Sequence, residues 1–379
     1  MIMKKNLFIL VALVVALLSS CQTKKTEETA AAGKLTKVAD YLYEITVDDY
    51  CDTIPNCLSS QVGQDFGCSA VRNGNFYGRN LDFFVSEVAE IVVHTTAKEG
   101  RHASVGVGRL NQSTGEDLEA GITPEQMNVL PWGMFDGIND AGLFCNVNVT
   151  PAEDAGAPNT GTNPGKPELS SAFMVRALLD NCANVDEAIK FINDHNIISK
   201  EVGGWYFHFM IGDPEKTVVL ELIDNKAVIK EQNIMTNFYV NLLPDFTPHA
   251  DGVERYNILK ENYAEGGESM EGMWNLLKRV RFSQAYDPET KPFWKSEFYE
   301  GMPFTINTPL ETILADSTVQ LNLKNFKSYK ETGKYTPEMG LWYTEHNSTY
   351  DIKDRKLWVT VHEKYDNKYE FQLAEKEQK

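Results

Sequence analysis

The sequence predicts an α+β fold in which helices cover packed β-sheets. Most of the chain alternates between short strand-like runs and tight turns, which favours antiparallel sheets. Longer segments with helical periodicity come in pairs between the groups of strands. Strand groups interrupted by helix pairs are typical of helical layers packed over sheets.

The predicted elements follow from these periodicities. The predicted strands are 42–47, 68–72, 76–84, 90–96, 143–149, 206–212, 217–223, 226–231 and 357–363. The predicted helices are 170–182, 185–196, 252–265 and 270–282. Residues 37–379 contain no internal repeat, and no long Pro/Gly/Ser linker divides them, so we expect one domain.

The composition is that of an ordinary folded protein with an acidic excess. The 379 residues are 42% hydrophobic and 24% charged, which is close to the usage of soluble globular chains. The formal net charge is −18. Because nucleic acid binding needs concentrated Lys and Arg, the sequence predicts no nucleic acid partner.

The first residues have the pattern of an export signal. Two lysines precede the apolar run Leu7–Leu18, which is shorter than the roughly 20 residues that span a bilayer. The ending at Cys21 resembles a bacterial lipoprotein box. We expect a signal peptide over 1–20, a lipid on Cys21, and a flexible tether over 21–36. The protein would then be an exported lipoprotein, anchored through Cys21 on the periplasmic or cell-surface side of a bacterial membrane; a soluble secreted protein is the alternative.

Five more cysteines lie in the rest of the chain. Cys51 and Cys57 could close a small disulfide loop in an oxidising compartment or remain free thiols. Cys145, in an apolar strand, and Cys182, on a helix, fit the role of small hydrophobic residues. No CxxC pair occurs and no Cys/His set has metal-ligand spacing, so no metal site is predicted. Cys68 is the cysteine left for chemistry.

Cys68 lies in a predicted β-hairpin, FGCSAVRNGNFYGRNLDFF (66–84). An Asn-Gly pair between two strand-like runs favours a two-residue type I′ turn. A turn centred on Asn73 and Gly74 pairs residues whose numbers sum to 147, so Cys68 would face Arg79. Facing Cβ atoms lie about 5 Å apart, and a guanidinium at that distance favours the thiolate.

The same register places Asp82 opposite position 65, just beyond the start of the Cys68 strand. If the chain were cut before Cys68, Asp82 would lie near the new α-amino group and could orient it. Residues three apart in a regular strand point to opposite faces. Arg79 and Asp82 can therefore share one site only if their strand bends, bulges or ends between them.

The hairpin resembles the N-terminal signature of the choloylglycine hydrolase and acid ceramidase group, the linear amide hydrolases of the N-terminal-nucleophile superfamily. The matching residues are FGCSAV and YGRNLDFF, joined by a shorter turn than most members have. Further matches follow in family order and are FDGINDAGL (135–143), MTNFYVN (235–241) and GVERYNIL (252–259). Upstream, LYEITVDDY (42–50) resembles the segment that precedes the cysteine in relatives made as proenzymes.

The resemblance implies an αββα four-layer sandwich and autocatalytic cleavage between Gly67 and Cys68. Residues 37–67 would form the propeptide and residues 68–379 the catalytic amidase domain. Cleavage frees an α-amino group with a pKa of about 8, attached to the thiol that it must deprotonate. Neither a catalytic histidine nor a cofactor is then required.

The resemblance also implies roles for the matched residues around the cysteine. Cys68 would attack the amide carbonyl. Asp82 would hold the α-amine, and Arg79 would support the charge of the thiolate.

Three further positions carry roles by the same resemblance. Asn237 would donate to the tetrahedral oxyanion or position the amine, and Arg255 would stabilise charge nearby. Asn148, or its same-face neighbour Asn146, would be another oxyanion donor.

The sequence therefore predicts a cysteine amidase that hydrolyses linear amides of N-acylated compounds through a thioester. The ceramidase-like spacing of Asn237 and Arg255 favours long-chain substrates such as fatty acid amides and N-acyl amino acids or amines. The aromatic candidates for an acyl pocket are Phe83, Trp132, Phe135 and Trp205. Bile salt hydrolysis and penicillin V acylase activity are the enzyme alternatives. A surface lipoprotein that binds acylated ligands without turnover is the non-enzyme alternative, and a homo-oligomer is left open.

Overall fold

A computed structural model describes most of the predicted strands and helices. The described residues are 35–50, 67–84, 89–110, 127, 130–151, 160, 163–199, 205–243, 252–281, 312, 315, 317, 320, 324, 342–362 and 364–373. The predicted signal peptide, the lipidation site Cys21 and the pair Cys51 and Cys57 lie outside these residues, so the lipid and the disulfide stay predictions. Within the described residues, no helix is long and apolar enough to cross a membrane.

The strands and helices have the following bounds. The strands are β1 (Thr36–Ala39), β2 (Leu42–Val47), β3 (Gly67–Asn73), β4 (Phe76–Phe84), β5 (Ala89–Thr95), β6 (Ser104–Leu110), β7 (Met134–Asn139), β8 (Phe144–Pro151), β9 (Glu168–Ser170), β10 (Asn196–Ile198), β11 (Trp205–Gly212), β12 (Thr217–Ile223), β13 (Lys226–Glu231), β14 (Ile234–Met235), β15 (Trp342–Asp351), β16 (Lys356–Val361) and β17 (Tyr369–Gln372). The α-helices are α1 (Met174–Asn181), α2 (Val185–Asn193), α3 (Val253–Glu261) and α4 (Met270–Arg279).

Fifteen of these strands form two large sheets, and β9 and β10 pair in parallel as a small third sheet. Sheet I has the order β1-β2-β5-β6-β7-β8-β11-β12-β13, and sheet II has the order β14-β3-β4-β15-β16-β17. Almost all pairs within them are antiparallel, as predicted, and β2 beside β5 is a parallel exception. Strand β2 and all of β1 except Thr36 come from the segment predicted as propeptide, and Thr36 comes from the predicted tether, yet both strands belong to sheet I.

The helices cover the outer faces of the two sheets. Helix α1 packs on β7 and β8, and a Cβ added at Gly137 would lie only 2.8 Å from the Leu179 side chain. Helix α4 packs on β4 and β15, where a Cβ at Gly78 would overlap Leu277. Glycines at both contacts allow each helix to lie close to its sheet.

The inner faces of the two sheets pack against each other. The Tyr77 ring of β4 stacks on the Phe144 ring of β8, with centroids 4.2 Å apart. The hairpin of β3 and β4 therefore faces sheet I across the interior, and Cys68 lies on its first strand, β3. The order of layers is helices, sheet I, sheet II and helices, which is the predicted αββα sandwich.

Candidate active site

The turn of the Cys68 hairpin differs from the predicted one. Asn73 pairs with Phe76, so the two central residues are Gly74 and Asn75. Gly74 has a φ of +58°, at the first central position, where a type II′ turn takes glycine. The predicted type I′ turn centred one residue earlier is therefore wrong, and facing residue numbers sum to 149 instead of 147.

This change of two in the sum alters which residues are paired across the hairpin. It does not alter the face of the sheet on which each side chain lies. Cys68 faces Leu81, and Arg79 faces Ala70. Since side chains alternate with a period of two, Arg79 remains on the same face as Cys68, as a diagonal neighbour. Arginine is long enough to cover the diagonal, and its Nη2 lies 3.1 Å from the Cys68 Sγ.

Sheet I fixes the position of the Arg79 guanidinium. Its Nη2 also donates to the Val147 carbonyl oxygen at 3.0 Å, and its Nη1 lies 3.4 Å from the Asp136 Oδ2. The Phe135 ring lies beneath the guanidinium, 5.4 Å from ring centroid to Cζ. Arg79 and Asp136 are both fully buried. A cation held in this way has few orientations other than the one that faces the thiol.

The Cys68 thiol itself is shielded from solvent in the uncut chain. Its relative exposure is 0%. Burial raises the pKa of the thiol to about 11, while Arg79 acts in the opposite direction. Arg79 lowers the pKa of the thiol, as predicted, but burial raises that pKa by more. At neutral pH the thiol of the uncut chain is therefore protonated.

Asp82 lies on the opposite face of the hairpin. It pairs with Gly67, the residue before the cysteine, and not with position 65 as predicted. Its Oδ2 lies 3.2 Å from the Arg255 Nη1, and its Oδ1 accepts a hydrogen bond from the Thr344 hydroxyl at 2.5 Å. The β4–β15 pairing has the expected irregularity between Leu81 and Asp82, opposite Thr344 and His346, whereas the β3–β4 pairing is regular. Arg79 contacts the Cys68 thiol, and Asp82 lies beside its main chain.

Arg255 and Asn237 hold the main chain of Cys68. The Cys68 N–H donates to the Asn237 Oδ1 at 2.7 Å, and the Cys68 carbonyl oxygen accepts from the Arg255 Nη1 at 2.7 Å. Arg255 also donates to the Asn237 Oδ1 at 2.6 Å and to the Ser69 Oγ at 3.0 Å. The Asn237 Nδ2 is directed elsewhere, to the Val149 carbonyl oxygen at 2.9 Å. The oxygen of Asn237, not its nitrogen, therefore faces the cysteine.

Of the two candidate asparagines of β8, Asn148 contacts the segment that precedes Asn237, and Asn146 contacts Asn148. The Asn148 Nδ2 donates to the Thr236 carbonyl oxygen at 3.3 Å, and the Asn148 Oδ1 accepts from the Asn146 Nδ2 at 3.0 Å. Both side chains are fully buried between the sheets. Asn148 thus supports the Asn237 backbone, and the choice between Asn146 and Asn148 as an oxyanion donor stays a prediction.

The four aromatic pocket candidates lie in different surroundings. Phe135 contacts the site through Arg79. Trp132 is 4% exposed and packs edge to face on Phe173 in the core, with ring centroids 5.8 Å apart. Phe83 and Trp205 lie within β4 and at the start of β11, and their side chains fall outside the described part of the chain. Pocket roles for these four residues stay predictions.

Sequence reasoning missed a second group of site residues. Asp136 contacts Arg79, and the His346 Nε2 lies 3.3 Å from the Asp136 Oδ2. Thr344 binds Asp82, as described above. A buried acid in the FDGIND strand was a usable signal for Asp136. His346 and Thr344 lie on β15, a strand that the apolar periodicity did not predict.

Among the described residues, no group of three or more His, Cys, Asp or Glu could hold a metal ion.

Comparisons with known proteins bear on the family of the chain. Residues 70–280, more than half of the chain, match the family described as acyl-coenzyme A:6-aminopenicillanic acid acyl-transferase. A penicillin V acylase from Pectobacterium atrosepticum is 34% identical over 112 residues, which cover 27% of this chain and 29% of that protein. The chain therefore aligns with less than a third of that relative.

Two solved structures are also similar. A mutant of the conjugated bile acid hydrolase from Clostridium perfringens has 14% identity and a TM-score of 0.42, covering 81% of this chain and 92% of its own. A penicillin V acylase from Agrobacterium tumefaciens has 19% identity and a TM-score of 0.36, covering 78% and 82%. The family match agrees with the resemblance predicted from the motifs. The chain belongs to the acyl-coenzyme A:6-aminopenicillanic acid acyl-transferase family, within the choloylglycine hydrolase and penicillin acylase group.

Proposed function

We propose that this chain is a cysteine amidase that hydrolyses linear amide bonds of N-acylated compounds and is activated by its own cleavage between Gly67 and Cys68. The observation that carries the proposal is the pair of contacts at Cys68. The thiol lies under Arg79, and the main-chain nitrogen, which cleavage would turn into a free amine, is already held by the Asn237 Oδ1. A nucleophile and its base are thereby prepared on one residue.

The reaction proceeds in two steps after activation. The α-amine of Cys68 takes the thiol proton, and the Sγ attacks the substrate carbonyl. The C–N bond then breaks, the leaving amine takes the proton from the α-ammonium group, and a thioester remains. The α-amine then takes a proton from water, the resulting hydroxide attacks the thioester carbonyl, and the C–S bond breaks. The Cys68 thiolate takes the proton back from the α-ammonium group, and the carboxylic acid is released. An α-amino group suits both transfers because its ordinary pKa is about 8.

The surrounding residues have distinct roles in this proposal. Asn237 positions the amine, because its oxygen accepts a hydrogen bond from the nitrogen of Cys68. Arg255 binds the Cys68 carbonyl and links Asn237 to Asp82. Arg79 stabilises the thiolate. The raised pKa of the buried thiol supports a precursor that does not turn over substrates, because the α-amine that serves as the base in turnover exists only after cleavage.

The substrate class has one main alternative. The spacing of Asn237 and Arg255 supports long-chain N-acyl amides. The 34% identity to a penicillin V acylase is the observation that favours an aryloxyacetyl amide instead, over the aligned part of the chain. Bile salts are a further candidate, and a lipoprotein that binds acyl ligands without turnover is the non-enzyme alternative. We also propose that the protein is exported and anchored to a membrane through a lipid on Cys21.

Mass spectrometry and a substrate panel test the proposal together. The purified chain should yield a fragment that begins at Cys68, and it should hydrolyse at least one of long-chain N-acyl amino acids, N-acyl ethanolamines, taurine-conjugated bile salts and penicillin V. The substrate with the highest kcat/KM identifies the class. A chain that remains uncut and inert toward the whole panel would contradict the amidase function.

Arg255→Lys is expected to lower both the cleavage rate and kcat/KM by about 100-fold or more, because lysine cannot reproduce a fork that binds Cys68, Asn237 and Asp82 at once. Cleavage is followed by gel electrophoresis and turnover with the best panel substrate. Arg176→Lys is the matched control. Arg176 is also fully buried, but it binds Ser104 and Asp180 away from the site. Equal losses in both variants would point to a general packing defect.

A further inference from the structure

A line of alternating charges runs from the Cys68 thiol through the interior between the sheets. Beyond Arg79 and Asp136, the next member is His346, whose Nδ1 lies 2.7 Å from the Glu90 Oε2. The line continues from Glu90 to the Arg109 Nε at 3.2 Å. Its members thus alternate cation and anion, and they come from both sheets.

His346 is the central cation of this line. Each of its ring nitrogens faces a carboxylate, Glu90 on one side and Asp136 on the other. A neutral imidazole has one donor and one lone pair, so its lone pair would face a carboxylate oxygen. Only the imidazolium can donate to both carboxylates. Burial alone would lower the pKa of His346, but Glu90 and Asp136 outweigh burial and the pKa is raised.

Asp136 needs this cation because its carboxylate is completely buried. The Tyr350 hydroxyl donates to the Asp136 Oδ1, whereas the Oδ2 is shared between Arg79 and His346. Without a charge on His346, Arg79 would be the only cation facing a buried carboxylate. Part of its field would then be neutralised by Asp136 instead of acting on the thiol.

We propose that His346 is a positioning residue for the Cys68 and Arg79 pair. By neutralising Asp136, it leaves the Arg79 guanidinium directed at the sulfur, and Glu90 keeps His346 in the required orientation. This role rests on the proposed amidase function. It adds one further ion pair to the site, between His346 and Glu90.

Several titratable groups lie along this line of charges or next to one of its members. They are Cys68 on β3, Tyr77 and Arg79 on β4, Glu90 on β5, Arg109 on β6, Asp136 on β7, Glu345 and Tyr350 on β15, and His362 after β16. Burial raises the pKa values of Tyr77 and Tyr350 well above their ordinary range, so both remain neutral at physiological pH. Arg109 bridges Glu90 and Glu345. The carboxylate of Asp136 is thus the charge whose compensation depends on His346 and Arg79.

The test follows thiol ionisation directly, so that it does not depend on turnover. Cysteine labelled with ¹³C at Cβ gives a resonance that follows the ionisation of Cys68, assigned by its loss in Cys68→Ala. In His346→Gln, the ionisation midpoint is expected to move to higher pH. At pH 7, kcat/KM should fall about tenfold, through kcat rather than KM, since a one-unit change in pKa is a tenfold change in thiolate population.

A charge-matched double variant separates positioning from a packing defect. His346→Gln combined with Asp136→Asn removes one cation and one anion, and it is expected to return the midpoint toward the wild-type value. His94→Gln is the control, because His94 pairs with Glu44 at 2.9 Å away from the thiol and should leave the midpoint unchanged.

The outcomes are distinguishable from failure of the amidase function. A chain without amidase activity still has a Cys68 resonance to titrate, so a lack of turnover does not obscure the result. An unchanged midpoint in His346→Gln would overturn the positioning role. A midpoint that stays high in the double variant would overturn it as well, because the loss would then not depend on the Asp136 charge.

Discussion

Cys68→Ala is expected to remain full length and to have no measurable amidase activity. The substitution removes the Sγ atom, which lies 3.1 Å from the Arg79 Nη2. This sulfur is the nucleophile for both cleavage and turnover. The main-chain contacts to Asn237 and Arg255 stay in place, so the fold should survive. Intact mass and the substrate panel measure the two losses, and circular dichroism checks the fold.

Cys145→Ala is the matched control for this loss. Cys145 is also a fully buried free thiol, and burial raises its pKa well above the ordinary value. It lies on β8, within the core. The variant should be cut and active like the wild type. If Cys68→Ala were cut at the same bond, another protease or nucleophile would be responsible, and self-cleavage would be wrong.

The proximity of Cys68 and Arg79 could be predicted from the sequence because strand periodicity tolerates the error in the turn. The Asn-Gly signal placed the turn one residue early, which changed the sum of paired numbers by two. A change of two preserves the faces of both strands, whereas a change of one would have reversed them. Asp82 was also placed near the cut site, although its actual partner is Gly67.

The rest of the site could not be predicted because β15 does not follow the apolar pattern. Its sequence, WYTEHNSTYD, is mostly polar, yet the strand is central in sheet II and its described side chains are buried from Thr344 to Tyr350. Ion pairs and hydrogen bonds, such as those of Thr344 and His346, stabilise the buried polar side chains there, whereas Tyr350 joins the apolar core beside Tyr77. Patterns of hydrophobicity cannot identify partners that lie far apart in the chain.

The N-terminal fragment is expected to stay bound after cleavage before Cys68. Strand β2 pairs with β5 along its whole length, and Leu42, Ile45 and Val47 are at most 1% exposed. Each such side chain contributes about 1.5–3 kcal/mol by burial. The Tyr50 hydroxyl also donates to the Asp180 Oδ1 at 2.6 Å. These contacts do not depend on the Gly67–Cys68 bond.

Size-exclusion chromatography with mass spectrometry of each fraction tests this retention. The two fragments should elute together under native conditions and separate in concentrated urea. Ile45→Asp is expected to release the fragment or to prevent accumulation of folded protein, because a carboxylate would enter the core. Thr46→Asp is the control on the same strand, since Thr46 is exposed and should retain the fragment. Separation of the wild-type fragments in native buffer would contradict the expectation.

Retention of this fragment decides where the catalytic domain would act. If Cys21 carries lipid, cleavage at Gly67 breaks the only covalent link between the lipid and Cys68. The domain then remains at the membrane through non-covalent contacts of the N-terminal fragment, which include the buried strand β2 in sheet I and the hydrogen bond from Tyr50 to Asp180. Ile45→Asp should therefore move the activity from the membrane fraction to the soluble fraction, or remove folded protein from both, while Thr46→Asp leaves it with the membrane.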